Sequence, residues 1–148
     1  MIKLKNIISE IEHFKKFDQS KIRWDVKEDT DRFFVRMYVE GYNNPLSGVF
    51  AGMGYGLFDG NKEFFGGMVL SKKNIGQLEG YLITYYADVA EPKLGFGRAI
   101  FQKTLEELKK RGYKGVAVYK RDARSRDATH LLNKIINFSD RHFDYVNV

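Results

Sequence analysis

The sequence predicts a single α+β domain with a mixed, mostly antiparallel sheet. Apolar and polar residues alternate through residues 22–26 and 33–39, which is the period of a strand with one buried face. Residues 95–111 change to the helical period. The order of the elements changes at the same place, from one helix and an antiparallel meander to strand, helix, strand and helix. A chain of 148 residues is the usual size of one such domain.

The individual elements follow from this pattern and from the turn residues between them. The predicted helices cover residues 4–17, 95–111 and 125–136, and the predicted strands cover residues 22–26, 33–39, 49–58, 63–70, 78–87, 115–119 and 143–148. Gly112 is predicted to end the second helix, and Ser125 to cap the third. The strand over residues 49–58 has three glycines at alternate positions, so part of one face lacks side chains.

The composition excludes several classes of protein. The chain has no cysteine, which rules out disulfides, thiolate catalysis and cysteine-ligated zinc. It has no apolar run near the roughly 20 residues that a membrane span needs. Residues 1–10 lack the apolar core and the cleavage site of an export signal. No metal site is predicted, because the histidines are isolated from one another. We therefore expect a cytoplasmic protein without a membrane anchor.

The net charge of +6 is concentrated in the second half of the chain. In the segment from Lys109 to Arg126, Asp122 is the only acidic residue, and all the other charged residues are basic. Such a segment attracts phosphate groups, either on a cofactor or on nucleic acid. The alternative is a solvated face that only keeps the protein soluble.

Residues 85–98 carry the strongest signal for chemistry. A predicted strand leads into a loop, then Gly95-Phe96-Gly97, then a predicted helix. Glycines at such a junction let the backbone approach an anion closely, and the first N–H groups of the helix point towards it. Arg98 adds positive charge. The longer dinucleotide pattern Gly-x-Gly-x-x-Gly is absent, because Ile100 stands at its third glycine position.

This unit resembles the GNAT family of acetyltransferases, in which a strand precedes a loop of the form Arg/Gln-x-x-Gly-x-Gly/Ala and a long helix. Gly95 and Gly97 match the two glycine positions, and residues 125–128 resemble the family's Asn-x-x-Ala motif with Ser125 in place of Asn. The resemblance covers residues 78–138 and implies a GNAT-like fold with helices on both faces of the sheet. Residues 1–10 also resemble the starts of small proteins from tailed phages.

The resemblance implies that acetyl-CoA is the co-substrate. Its pyrophosphate would lie on the N–H groups of residues 94–98, and its pantetheine arm along the strand edge at residues 85–87. The basic segment would contact the 3′-phosphate of the adenosine. The implied cofactor-binding residues are Ala87, Leu94, Gly95, Phe96, Gly97, Arg98, Arg124, Ser125 and Arg126.

Transfer of an acetyl group to an amine needs a base for the amine proton and often an acid for the departing thiolate. The candidates are Glu79, which begins the cofactor strand, and Tyr85 and Tyr86, which alternate between its two faces. A solvent-exposed role for Glu79 and a packing role for one tyrosine are the alternatives. The acceptor amine and the oligomeric state are not specified by any motif.

The sequence departs from the family pattern at two positions. Pro92 stands where Arg or Gln anchors phosphate, and Leu132 stands where many members have the tyrosine that protonates the thiolate. The resemblance predicts an acyl-CoA-dependent N-acyltransferase. Because of these two departures, a non-catalytic binding or structural protein of the same fold is the alternative. Nucleic-acid binding is a third interpretation and is not favoured, because the basic segment lacks interleaved aromatic residues.

Overall fold

The computed structural model describes residues 19–41, 65–73, 79–89, 95–121 and 126–148. In chain order its elements are a short 3-10 turn (Gln19–Lys21), β1 (Ile22–Glu28), β2 (Arg32–Val39), β3 (Gly66–Ser71), β4 (Tyr81–Val89), α1 (Phe96–Lys110), β5 (Gly115–Tyr119), α2 (Arg126–Ile135), β6 (Phe138–Ser139) and β7 (Phe143–Asn147). The helix predicted over residues 4–17 and the strand predicted over residues 49–58 lie outside the described residues.

The described strands form one seven-stranded sheet in the order β1-β2-β3-β4-β5-β7-β6. Neighbouring strands are antiparallel except β4 and β5, which are parallel. Helix α1 connects these two strands and provides the crossover that a parallel pair requires. The predicted fold class, an α+β fold with a mixed and mostly antiparallel sheet, is confirmed.

Both described helices pack on the same face of the sheet. Their apolar residues join one buried cluster with alternate residues of the strands, among them Phe33, Val35 and Met37 of β2, Leu82 of β4, Val116 of β5, Phe96 and Ile100 of α1, and Leu132 and Ile135 of α2. The period-2 pattern therefore predicted this face of β2 correctly. The pattern also predicted a solvated second face, which is wrong for β2, because Phe34, Arg36 and Tyr38 are buried as well.

Most predicted boundaries agree with the described elements to within a few residues. Strand β6 was not predicted, because two residues are too short to display a period. The chain turns at residues 79–80, and β4 then begins at Tyr81 rather than at residue 78. Among the described segments, neither α1 nor α2 has the length and apolar character of a membrane-spanning helix.

A network of ion pairs fixes the carboxyl end of α1 to the edge of the sheet. Arg111 donates from Nε to Glu28 Oε1 at the end of β1 (2.9 Å) and also pairs with Glu107. Lys72, which follows β3, lies 2.7 Å from the other oxygen of Glu28. The Arg111 guanidinium also lies over the Phe33 ring, 5.2 Å from its centre. These contacts set the direction of α1 and therefore the position of its amino end.

Replacement of Glu107 by glutamine should remove an acid-sensitive part of the stability. The hydrogen bond from Arg111, followed by those from Lys103 and nearby charges, lowers the Glu107 pKa from 4.5 to about 2. The ionised carboxylate therefore stabilises the fold above pH 4.5, and this contribution disappears as the pH falls through about 2. We expect Glu107→Gln to lower the free energy of unfolding at pH 7 by about 1–2 kcal/mol, since solvent weakens the pairs.

Urea denaturation at pH 7 and at pH 3 measures this effect. The gap between wild type and Glu107→Gln should be smaller at pH 3. Glu106→Gln, an exposed neighbour on α1, is the matched control and should change little at either pH. A gap of equal size at both pH values would contradict the assignment.

Candidate functional site

Strands β4 and β5 separate from each other part-way along their length. They are paired at their amino ends, where residues 81–83 face residues 115–117 and the Lys114 N–H donates to the Gly80 carbonyl at 2.6 Å. Beyond Ile83 no residue of β4 has a partner on β5, although every residue of both strands is described. We call the resulting gap, between residues 84–89 of β4 and 118–119 of β5, the fork. Backbone N–H and C=O groups on its β4 side are not used by β5.

An extra residue in β4 accounts for the fork. Val69 of β3 pairs with Tyr86, but the next residue, Leu70, pairs with Thr84, so that Tyr85 is left over as a β-bulge. A bulge bends its strand and increases the local twist. Strand β4 nevertheless remains paired with β3 as far as Val89. The bend therefore turns β4 away from β5 and leaves the ladder with β3 in place.

Helix α1 begins with uncapped N–H groups. Its N-cap, Gly95, has a φ of 81°, in the left-handed region, and no side chain caps the helix. The first turn of α1 contains no acidic residue. A Cβ added at Gly97 would meet nothing within 4 Å. The first N–H groups, which lack partners within the helix, can thus be approached closely by an anion.

The amino end of α1 lies over the carboxyl end of β4. The Phe96 ring is fully buried and packs edge-on against Phe65, with ring centres 4.8 Å apart. Phe65 immediately precedes Gly66, and Gly66 pairs with Val89, the last residue of β4. The end of the fork at Val89, which we call its mouth, and the start of α1 are therefore neighbours.

Several basic residues lie at this end of the sheet, as do Asp88 near the end of β4 and Asp127 at the start of α2. Arg98, in the first turn of α1, is only 8% exposed. Helix α2 begins with exposed Arg126 after the carboxyl end of β5, which is followed by exposed Lys120 and Arg121. Because β4 and β5 are parallel, α1 and α2 both start at the carboxyl ends of these two strands.

The predicted catalytic residues occupy different parts of β4. Tyr85 is the bulged residue and is 66% exposed. Tyr86 pairs with Val69, and its side chain is outside the description. The bulge breaks the strict alternation on which the prediction of one tyrosine per face depended. Glu79 is exposed and precedes β4, at the end of the strand away from the fork. The structure does not bring Glu79 together with the tyrosines.

The predicted cofactor residues are gathered only in part. Gly95, Gly97 and Arg98 lie together at the start of α1, and exposed Ala87 lies on the β4 side of the fork. Phe96 is buried in the core, so only its backbone is available to a ligand. Leu94, Arg124 and Ser125 lie outside the described residues. Within the described ranges, no three His, Asp or Glu side chains are grouped to hold a metal ion.

Sequence reasoning missed Thr84, the first residue of β4 beyond its pairing with β5. Its hydroxyl oxygen is buried and has no hydrogen-bond partner within the described parts of the chain. A threonine in a strand is common, and no local pattern marks this one. Its importance depends on where the bulge falls, which is a property of strand register.

No family model matches the chain, and no curated protein matches it. Among solved structures, the PaiA N-acetyltransferase of Thermoplasma acidophilum in complex with coenzyme A aligns with 97% of this chain and 70% of its own, with a TM-score of 0.48 and 8% identity. A protein assigned to the GNAT acetyltransferases, from Desulfovibrio desulfuricans, aligns with 99% and 82% (TM-score 0.47, 8% identity). A protein assigned as an N-acetyltransferase, from Lactobacillus plantarum, aligns with 97% and 89% (TM-score 0.44, 10% identity).

The two glycines at the start of α1 should respond oppositely to alanine. Gly95→Ala forces a Cβ into the left-handed region and should lower the free energy of unfolding by about 1 kcal/mol. Gly97→Ala places its methyl group in open space and should raise that free energy by about 0.5 kcal/mol, because alanine restricts the unfolded chain. Urea unfolding followed by circular dichroism measures both. Shifts of the same sign would contradict the different roles assigned to the two glycines.

Proposed function

We propose that this protein is an acyl-CoA-dependent N-acyltransferase that moves an acetyl group from acetyl-CoA to an amine. The observation that carries the proposal is the fork, whose mouth lies beside the uncapped amino end of α1. An anionic segment of a ligand can bind at the start of α1 while an extended segment with amide groups lies in the fork. Acetyl-CoA has both, in its pyrophosphate and its pantetheine arm.

The pyrophosphate is proposed to bind the first N–H groups of α1. Gly97 leaves room for the approach, and buried Arg98 adds charge close by. Arg126 at the start of α2, together with Arg124 and Ser125 from the sequence resemblance, is proposed to contact the 3′-phosphate of the adenosine. Anions at helix starts and beside arginine are stabilised by these groups in general.

The pantetheine arm is proposed to lie in the fork along residues 84–87 of β4. Its amide groups can pair with a strand edge as an added strand does. The bulge at Tyr85 leaves that edge unused by β5. The arm would point its sulfur towards the closed end of the fork, since its phosphate end is held at the mouth.

In the proposed reaction the amine nitrogen attacks the thioester carbonyl carbon, the C–N bond forms and the C–S bond breaks. The amine proton passes to a base, for which Glu79 remains the sequence-based candidate, and the thiolate takes a proton or leaves as the anion. A thiol pKa of about 8.5, as in cysteine, makes the thiolate a tolerable leaving group near neutral pH. Tyr85 is the proposed proton donor, because it lies at the bulge, whereas Tyr86 is the alternative.

One observation favours the second candidate function, a non-catalytic protein that binds CoA or a related ligand. Leu132 of α2 stands where many members of the GNAT family have the tyrosine that acts as the acid, and it is buried in the hydrophobic core. It has no proton to donate. Catalysis then depends on Tyr85 or Tyr86, or on positioning of the two reactants alone.

Coenzyme A should raise the melting temperature of the protein, and Gly97→Val should abolish the rise. A ligand that binds only the folded state stabilises it according to its occupancy. Valine at Gly97 should obstruct the proposed anion site, and the variant should stay folded because a Cβ at this position meets nothing within 4 Å. Thermal-shift titrations with acetyl-CoA, CoA and ATP measure the effect.

Gln102→Val, an exposed position on α1, is the matched control and should keep the CoA response. A wild-type protein that shows no response to either CoA species would sink the proposal. A response only to ATP, or binding of nucleic acid that weakens steeply with salt, would favour a different phosphate ligand.

Turnover should depend on Tyr85 if it protonates the thiolate. We expect Tyr85→Phe to lower kcat about 100-fold, the lower end of what a positioned acid contributes, and to leave acetyl-CoA binding unchanged. Thiol release with a panel of amines measures kcat, with Tyr86→Phe and Glu79→Gln assayed alongside. Full activity in Tyr85→Phe would exclude Tyr85 as the acid. CoA binding without turnover on any amine would support the non-catalytic function.

A further inference from the structure

The closed end of the fork contains a buried polar group whose presence the fold does not explain. Thr84 is the first β4 residue after the last one paired with β5, and Tyr85, the bulged residue, follows it. The Thr84 hydroxyl oxygen is buried, and within the described parts of the chain it has no hydrogen-bond partner. A buried hydroxyl without a partner destabilises a fold, and such groups in native proteins call for an explanation.

The Thr84 side chain lies on the face of the sheet that carries α1. Thr84 is paired with Leu70, and directly paired residues share a face. Leu70 belongs to the same buried cluster as Phe96 and Ile100 of α1. The hydroxyl therefore lies on the same face of the sheet as α1. Along β4 it lies at the closed end of the fork, whereas α1 begins near the other end, at the mouth.

The length of the fork determines which part of a ligand reaches Thr84. Residues 84–89 span about 16 Å at the usual rise of a strand. A ligand whose phosphates are held at the mouth and whose arm is extended along β4 brings its far end to Thr84. For acyl-CoA that far end is the thioester, whose carbonyl oxygen accepts hydrogen bonds and gains negative charge when an amine attacks.

We propose that the Thr84 hydroxyl donates a hydrogen bond to the thioester carbonyl oxygen of acyl-CoA at the closed end of the fork. The proposal rests on the proposed function of this site. It explains why an unpartnered hydroxyl is retained there, because the ligand supplies the missing acceptor. It also makes Thr84 the residue that distinguishes acyl-CoA from free CoA, which has no carbonyl at that point.

The test compares acetyl-CoA with CoA on Thr84→Val and Thr84→Ser. Valine has the shape of threonine and lacks the hydroxyl, whereas serine keeps it. Isothermal titration should show about a 10-fold loss of acetyl-CoA affinity in Thr84→Val, the equivalent of one hydrogen bond. CoA affinity should change by less than about 2-fold. Thr84→Ser should retain most of the preference for acetyl-CoA.

The ligand-free stability provides a second and independent readout. Removal of an unpartnered buried hydroxyl relieves its cost, so Thr84→Val should melt about 2–4 °C above wild type. A purely structural hydroxyl would not change the ratio of the two affinities. If Thr84→Val does not fold, Thr84→Ala replaces it for the affinity ratio.

Each other outcome overturns a stated part of the argument. Equal affinities of Thr84→Val and wild type for acetyl-CoA would exclude the hydrogen bond. Equal losses for acetyl-CoA and CoA would place the acceptor on the pantetheine arm and overturn the thioester assignment. A wild-type protein that binds neither ligand would refute the function on which the proposal rests, and this result differs from failure of Thr84 alone.

Discussion

The single extra residue in β4 is the constraint on which the arrangement of the site depends. Strand β4 pairs with an antiparallel neighbour on one side and a parallel neighbour on the other, and the bulge at Tyr85 bends it between the two. The ladder with β3 continues to Val89, so the ladder with β5 ends at Ile83. The fork, and the backbone groups of β4 that β5 does not use, follow from this choice.

The remainder of the fold holds the start of α1 in place beside the fork. Phe96 anchors its amino end in the core, and the contacts of Arg111 with Glu28 and Phe33 fix its carboxyl end. The start of the helix is thereby placed at the mouth, with no capping side chain and no acid in its first turn. The buried Thr84 hydroxyl, which has no hydrogen-bond partner within the described parts of the chain, is a local cost of the kind that is common at functional sites.

The topology also explains why several basic residues lie at one end of the sheet. Two consecutive crossover helices follow two parallel strands, so their positive ends and the basic residues beside them share an edge of the sheet. Lys120, Arg121 and Arg126 add exposed charge there. Under the proposed function, the combined field would attract the anionic ligand towards the mouth of the fork, and the attraction would weaken with salt.

Local patterns in the sequence determined the element types and the place of the junction at which the anion site is proposed. Alternation identified β1 and β2, helical spacing identified α1 and α2, and Gly95 with Gly97 marked the junction between strand and helix. The burial of both faces of β2 was not predictable from the alternation, because burial depends on what covers each face. Strand β6, with two residues, has no period of its own and exists only because β7 lies beside it.

Strand register is what only the tertiary structure decided. The bulge at Tyr85, the end of the β4–β5 ladder after Ile83 and the unpartnered hydroxyl of Thr84 arise from pairings between residues far apart in the chain. The residues of β4 carry the same local propensities whether or not one of them is left over. The sequence by itself therefore determined the glycine-flanked start of α1, at which we propose that an anion binds. Which side chains line the fork depends on the one-residue shift in the pairing of β4 with β3, and packing of the whole sheet sets that shift.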